Sequence, residues 1–179
     1  MNLNIKSKYI AIAILILITL FLQLGYYSST FKQIELFNQG NYLTNFDLFV
    51  KILVQNSTFY FLIILGSLFF NISSIMLICY NSYAWGYSAK MTISQIGFFK
   101  SFLLIGPHIT IEILWIICSF LISFKISLLL LSFFNNHINE EAFVKSIRSK
   151  IKLSLYGYCL VIFGCFVEIF ISPLIFKLL

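Results

Sequence analysis

The amino-acid sequence predicts an all-α integral membrane protein, a polytopic bundle of about five transmembrane helices. Of its 179 residues, 60% are hydrophobic and 10% are charged, and the mean hydropathy is +0.97. Soluble domains carry about 25% charged residues. Apolar runs near the length of about 20 residues that a helix needs to cross a bilayer recur along the chain. The length fits a single membrane domain over residues 1–179.

The charged residues and the cysteines exclude other classes of protein. The net charge of +6 comes from basic residues that lie between apolar runs. We therefore expect them to orient the chain against anionic lipids, and we expect no nucleic-acid partner. All four cysteines lie inside apolar runs without the spacing of a zinc site, which indicates packing residues.

The first span is predicted over residues 9–27. Lys6 and Lys8 precede it, which favours a cytoplasmic N-terminus. The run ends without a small-x-small cleavage site, so an uncleaved anchor is favoured over a signal peptide. Residues 28–57 are polar and mixed, and they are predicted to form an outer loop with short amphipathic helices on the membrane interface.

Three further spans are predicted in the middle of the chain, over residues 58–80, 93–105 and 107–134. The break between the last two is placed at Gly106–Pro107, because proline is tolerated in the first turn of a helix but disrupts its interior. Residues 93–105 are few for a span and include Lys100. If they do not cross, four spans remain, with a re-entrant or interfacial segment, and the positive-inside rule is violated at Lys145. Residues 81–86 are either the tilted end of a helix or a re-entrant hairpin.

The last span is predicted over residues 153–176. Asn139 can cap the helix that leads into it, and Glu140 and Glu141 suit the helix dipole there. The densest basic cluster of the chain follows, which the positive-inside rule assigns to the cytoplasm. The cluster comprises Lys145, Arg148, Lys150 and Lys152. With five crossings, the C-terminus is then external.

Glu112 and Glu168 are the acids embedded in apolar runs. An ionised side chain at the centre of a bilayer costs about 2.5–3.5 kcal/mol on insertion scales, so these positions need a physical reason. Glu112 follows Pro107 by five residues, and Glu168 precedes Pro173 by five. If their helices form an antiparallel hairpin, both carboxyl groups lie at a similar depth, on facing polar stripes. Ser119 and Ser123 continue the face of Glu112, and the face of Glu168 includes Gly157, Gly164 and Ser172.

Two interpretations of the glutamates remain open. They can be hydrogen-bonded packing residues, or they can form a relay or binding site, as intramembrane ionisable groups often do. His108 and Glu112 are spaced i and i+4 on one helix face, and Glu168 could supply a third zinc ligand. This constellation suggests an intramembrane metallopeptidase or a proton- or ion-coupled transport component as alternatives. None of the His-Glu-x-x-His, Gly-x-Ser-x-Gly or phosphate-loop motifs is present.

Short motifs at three places carry a family resemblance. The first is the run that begins at Asn56 and includes Gly66. The second is Tyr80-Asn81-Ser82-x-x-x-Gly86. The third pairs Pro107-His108-x-x-x-Glu112 with Glu168-x-x-x-Ser172-Pro173. In order and spacing the chain resembles the stage II sporulation protein M family of bacterial membrane proteins. The motif residues are Asn56, Gly66, Asn81, Gly86, Pro107, His108, Glu112, Glu168 and Pro173.

The resemblance implies a function through protein partners. Ser82 and Ile109 replace two glycines of the family pattern, which lowers the demand for a special backbone at those points. The family is not characterised as catalytic, and it includes a sporulation membrane protein that scaffolds a septal peptidoglycan-degrading complex. Short relatives accompany circular bacteriocin genes. The resemblance thus implies a bacterial cytoplasmic membrane location and partners among membrane or envelope proteins, or a secreted peptide with an ABC-type ATPase. It implies no cofactor.

Overall fold

The computed structural model describes residues 7–28 and 45–177, and these are almost entirely helical without a β-strand. A 3₁₀ turn, Gly66–Phe69, follows the second helix, and a π-helical segment, Val167–Ile171, joins the last two. The six α-helices are α1 (Ser7–Ser28), α2 (Asn45–Leu65), α3 (Ile72–Ile96), α4 (Phe98–Phe134), α5 (Glu140–Phe166) and α6 (Ser172–Lys177). The predicted all-α fold class is confirmed.

Four stretches of the described chain are long and apolar enough to cross a membrane: Ser7–Ser28, Phe46–Phe69, Phe98–Phe134 and Glu140–Ile175. The protein is therefore a multi-pass membrane protein, and four is the lower of the two predicted counts. The helix α3 has 25 residues but includes polar side chains such as Asn81 and Lys90, which lower its hydropathy.

The predicted span over residues 58–80 is wrong, because the chain reverses direction in its middle. The helix α2 ends at Leu65, and Phe70 and Asn71 adopt left-handed backbone conformations with φ of 50° and 66°. The Asn71 amide donates to the Gly66 carbonyl over 2.9 Å and closes the turn. Hydropathy does not register a tight turn within an apolar run, so this helical hairpin resembled one span.

The first half of α2 also corrects a prediction. Residues 46–53, expected as a short interfacial helix in an outer loop, belong to the long helix α2. The rest of that predicted loop, residues 29–44, lies outside the described residues.

The break predicted at Gly106–Pro107 lies instead at Gly97. The helix α4 runs without interruption from Phe98 to Phe134 with Pro107 inside it, so residues 93–105 are not a separate span. Gly97 has φ 83° and ψ 163°, a conformation that is essentially restricted to glycine. Proline is tolerated in membrane helices because neighbouring groups satisfy the freed carbonyl.

Contacts between helices give their relative directions. In α1 and α3, Gly25 lies against Tyr83 and Gly86 lies against Leu22, so these two helices are antiparallel. Both glycines are required for close approach, because a Cβ at either position would overlap a backbone carbonyl oxygen of the other helix. In a membrane, such small residues let helix backbones pack closely.

The other helices alternate in direction from α2 onward. Ser123 Oγ lies 3.3 Å from the Ile64 carbonyl oxygen, and the ring of Trp115 contacts Phe59, so α2 and α4 run in parallel. The helix α3 follows a tight turn after α2 and runs the opposite way, and α5 packs on α4 after the short turn at residues 135–139. Hence α1, α2 and α4 share one direction.

This arrangement separates the two basic ends. Lys8, at the start of α1, lies at the opposite end of the bundle from Lys145, near the start of α5. If α1 and α4 both cross the membrane, only one of these ends faces the cytoplasm. The prediction of a cytoplasmic N-terminus and the prediction of a cytoplasmic basic cluster on α5 are therefore not compatible with each other.

The core draws side chains from all five long helices, α1 to α5, and its largest are Tyr60 and Trp115, both almost fully buried. The Tyr60 hydroxyl donates to the Ser154 carbonyl over 2.8 Å. Gly157 leaves the space that this hydroxyl occupies, since a Cβ there would lie 2.5 Å from it. Asn139 caps α5 by accepting from the Ala142 amide over 2.9 Å, as predicted.

A buried hydrogen-bond network joins the α2–α3 hairpin to α4. Asn71 Nδ2 donates to Ser127 Oγ over 2.7 Å, and Ser123 Oγ donates to Asn71 Oδ1 over 2.6 Å. Ser127 Oγ also donates to the Ser67 carbonyl over 2.8 Å. Interhelical hydrogen bonds of this kind stabilise membrane bundles by about 0.6 kcal/mol each on average.

Candidate functional site

A cavity of about 350 Å³ lies between α2, α3, α4 and the π-helical segment, and several polar side chains line it. Each element contributes at least one of them. The lining residues are Ile52, Gln55, Asn56, Asn81, Ala84, Trp85, Ser88, Ala89, Ile105, His108, Ile109, Glu112 and Glu168. A polar cavity within a membrane bundle is the usual setting of intramembrane acids.

The helix α4 contributes His108 and Glu112 from one face. Because they are spaced i and i+4 in an uninterrupted helix, both side chains line the same wall. The side chain of Glu112 is 7% exposed. Pro107 precedes them and has no N–H for the carbonyl of Leu103, so the helix is weakened next to the cavity.

Glu168 reaches the cavity from a π-helical segment. The Ser172 amide donates to the carbonyl of Val167, five residues earlier, which widens the helix by one residue at this point. Pro173 accounts for the widening, because its ring clashes with the carbonyl four residues before it in a regular α-helix. Single-turn π segments occur frequently at functional sites.

The amides of Asn56 and Asn81 face the acids from α2 and α3. Asn56 Nδ2 lies 3.5 Å from Cys165 Sγ, a weak hydrogen bond that connects α2 to α5. Ser82, where the family pattern has glycine, lies within the continuous helix α3, and its hydroxyl donates to the Ile78 carbonyl over 2.7 Å. No turn follows Asn81, so the re-entrant alternative at this point is not supported.

The two acids have no polar partner among residues 7–28 and 45–177. Among the described residues, neither Glu112 nor Glu168 takes part in a hydrogen bond or an ion pair. His108 Nδ1 and Ser172 Oγ are buried without a hydrogen-bond partner there as well. Unpaired polar groups in an apolar environment cost free energy, so this cluster is suited to receive groups from another molecule.

A second cavity, of about 250 Å³, adjoins the first and shares Gln55, Asn56 and Asn81 with it. It extends to Thr58 and Leu62, which are both exposed on the outer surface of α2. The polar interior is therefore continuous with the lateral surface of the bundle between α2 and α3.

Predicted site residues from distant parts of the sequence meet here. The predicted motif residues Asn56, Asn81, His108, Glu112 and Glu168 all line the cavity. The remaining motif residues shape the helices around it: Pro107 and Pro173 lie beside the two acids, Gly86 packs on α1, and Gly66 packs on Ser74.

Part of the predicted stripe between α4 and α5 is wrong. Ser123, expected on the face that meets α5, bonds to Asn71 of the α2–α3 hairpin instead, and Ser119 bonds to its own helix. The cause is the hairpin, which covers this part of α4. Sequence reasoning missed the roles of Gln55 and Ser88 in the cavity lining, although their polar character within helices was the available signal.

The predicted zinc ligands do not form a ligand set. Within residues 7–28 and 45–177, no group of three or more His, Cys, Asp or Glu side chains is arranged to hold a metal ion. His108, Glu112 and Glu168 share a cavity but not a common coordination point.

Comparison with known proteins gives a family and a distant relative. The family model for stage II sporulation protein M matches residues 9–173. The chain is 29% identical over 142 residues to the uncharacterized protein MJ0793 of Methanocaldococcus jannaschii, a match that covers 75% of this chain and 76% of the relative. No solved structure matches the chain.

Proposed function

Because the chain belongs to the stage II sporulation protein M family, we propose that it is a membrane scaffold that assembles other membrane or envelope proteins around its polar cavity. The observation that carries this proposal is the unpaired state of Glu112 and Glu168 within the described bundle. A partner helix that presents an amide, hydroxyl or basic side chain between α2 and α3 would supply the missing donors. Hydrogen bonds between helices favour association in a membrane.

The process that uses the scaffold has two candidates: septal peptidoglycan remodelling, and the maturation, export or immunity of a circular bacteriocin-type peptide. In the first, the partners are envelope hydrolases, and in the second, a secreted peptide and an ABC-type ATPase. Genes beside the coding sequence discriminate between them. We place the protein in the bacterial cytoplasmic membrane, with the basic start of α5 on the cytoplasmic side, because its basic residues are the densest in the chain.

Site-specific photocrosslinking in cells tests the scaffold. A photoreactive amino acid at Gln55 or at Asn81, both on the cavity wall, should give an adduct with the same membrane protein. The matched control is Leu20, which is exposed on α1 away from the cavity and should give none. Equal adducts at all three positions, or lipid adducts alone, would refute the proposal.

Two substitutions at Glu112 refine this test. Glu112→Gln keeps a polar group of the same shape, so the crosslink from Gln55 should persist. Glu112→Leu removes the polar group and should abolish the crosslink while leaving the purified protein folded. If Glu112→Gln abolishes it too, the charge of a carboxylate is needed and hydrogen bonding alone does not explain partner binding.

A second candidate function is supported by the same cavity. Two acids that line one cavity, without an ion pair among the described residues, also suit the transient binding of a proton or cation, as in a coupled transport component. A transport function requires a carboxyl group that can gain and lose a proton or cation. Glu112→Gln should therefore abolish the flux of protons or cations into proteoliposomes. Flux that is unchanged by Glu112→Gln would remove this candidate and leave the scaffold.

A further inference from the structure

An apolar groove of about 300 Å³ lies on the outer surface between α4 and α5, remote from the polar cavity. Leu121, Leu153 and Gly157 line it, together with Tyr156, which is 75% exposed. A Cβ at Gly157 would lie 2.5 Å from the Tyr60 hydroxyl of α2, so a larger residue does not fit at this point of the groove. In a membrane, a groove of this kind faces the acyl chains.

One end of the groove is basic. Lys125 of α4 lines it directly. On α5, Lys150 precedes Leu153 by three residues and Gly157 by seven, so it continues the same helix face one turn beyond the groove. Neither lysine forms an ion pair within the described part of the chain, and no acid lines the groove.

We propose that this groove binds an anionic phospholipid, with an acyl chain along the apolar walls and the phosphate between Lys125 and Lys150. Basic pockets between transmembrane helices bind anionic headgroups, and a lysine can extend along apolar surface so that its amine reaches the headgroup level. Lys145 and Arg148 of the basic cluster on α5 lie beyond Lys150, on the side where the headgroup layer begins.

Charge decides between this occupant and a second copy of the protein. In a two-fold symmetric dimer through this face, the basic end of one groove would lie against basic residues of the second copy. Like charges at an interface oppose association. An anionic lipid instead neutralises the charge. The site is independent of the proposed scaffold function.

Native mass spectrometry of the delipidated protein tests the proposal. Phosphatidylglycerol should remain bound at collision energies that remove phosphatidylcholine, and soluble glycerol phosphate should not compete, because it lacks the chain that fills the groove. Lys125→Ala should weaken phosphatidylglycerol binding about five-fold, the contribution of one lysine near an anionic surface. Equal retention of the two lipids, or competition by glycerol phosphate, would overturn the proposal.

Two further variants control for net charge and for the groove itself. Lys100→Ala removes the same charge from an exposed position on α4 outside the groove, and it should leave lipid retention unchanged. Leu160→Trp fills the groove and should reduce retention of both lipids without altering charge. If Lys100→Ala and Lys125→Ala have equal effects, the binding depends on overall charge and the groove is not the site.

Discussion

Gly97 and Gly106 offer a direct test of where the helices α3 and α4 separate. Gly97 has φ 83° and ψ 163°, and a Cβ added there would meet no atom within 4 Å. The cost of Gly97→Ala is therefore backbone strain alone, about 1–3 kcal/mol for a residue forced into this conformation. The variant should be less stable by that amount.

Gly106 lies inside α4, where alanine is preferred. A Cβ at Gly106 would lie 3.6 Å from the ring of Phe102, an ordinary packing contact. Gly106→Ala should therefore stabilise the protein by about 0.5–1 kcal/mol, since glycine is unfavourable within a helix. The two alanine variants should differ in stability by about 1.5–4 kcal/mol, the sum of these effects.

Unfolding in mixed micelles of dodecyl maltoside and dodecyl sulfate measures the difference. With Trp85 replaced by phenylalanine in all variants, the fluorescence of Trp115 reports on the core, because its side chain is almost fully buried. Gly97→Ala should unfold at a lower dodecyl sulfate fraction than the natural protein, and Gly106→Ala at an equal or higher one. If Gly106→Ala is the more destabilised variant, the chain breaks at Gly106–Pro107 and α4 does not begin at Phe98.

Two further predictions concern the hairpin and the orientation. In a double-mutant cycle, Asn71→Gly and Ser127→Ala should show a coupling of about 0.6–1.7 kcal/mol in the same unfolding assay, because they share one interhelical hydrogen bond. As a control, Ser82→Ala removes a hydroxyl that bonds within its own helix, so its effect should add to that of Asn71→Gly. If Ser127→Ala is also additive with Asn71→Gly, the network is refuted. A reporter fused after Asn136 should be cytoplasmic and one before Lys8 external, whereas the same side for both would show that α1 does not cross in the direction of α4.

The membrane class and the long helices could be predicted because they follow from composition and the length of apolar runs. The hairpin at residues 66–71 could not, since a turn within an apolar run leaves hydropathy almost unchanged. Its signals were Gly66 and Asn71, residues suited to close packing and to a left-handed conformation. The proline at 107 was a misleading signal, because a membrane helix tolerates proline where a soluble helix would end.

The grouping of the site residues was easier to predict than their surroundings. The i and i+4 spacing of His108 and Glu112 holds in any helix, and an antiparallel hairpin brings Glu168 near them whatever the number of spans. The π-helical widening at Glu168 depends on how the chain relieves the clash of Pro173, and the lateral opening depends on the hairpin of α2 and α3. Neither can be read from a periodic pattern.

The polar residues of this bundle divide into two groups, and the contrast supports a site at the cavity. At the hairpin, Asn71, Ser123 and Ser127 satisfy one another with bonds of 2.6–2.7 Å, although none of them carries a formal charge. At the cavity, Glu112 and Glu168 lack any such bond within the described chain, although they are costlier to bury. Serine and asparagine side chains could have paired with polar groups at the cavity as they do at the hairpin. Because packing alone does not explain two unpaired acids, this contrast supports the proposal that a partner molecule supplies their hydrogen bonds.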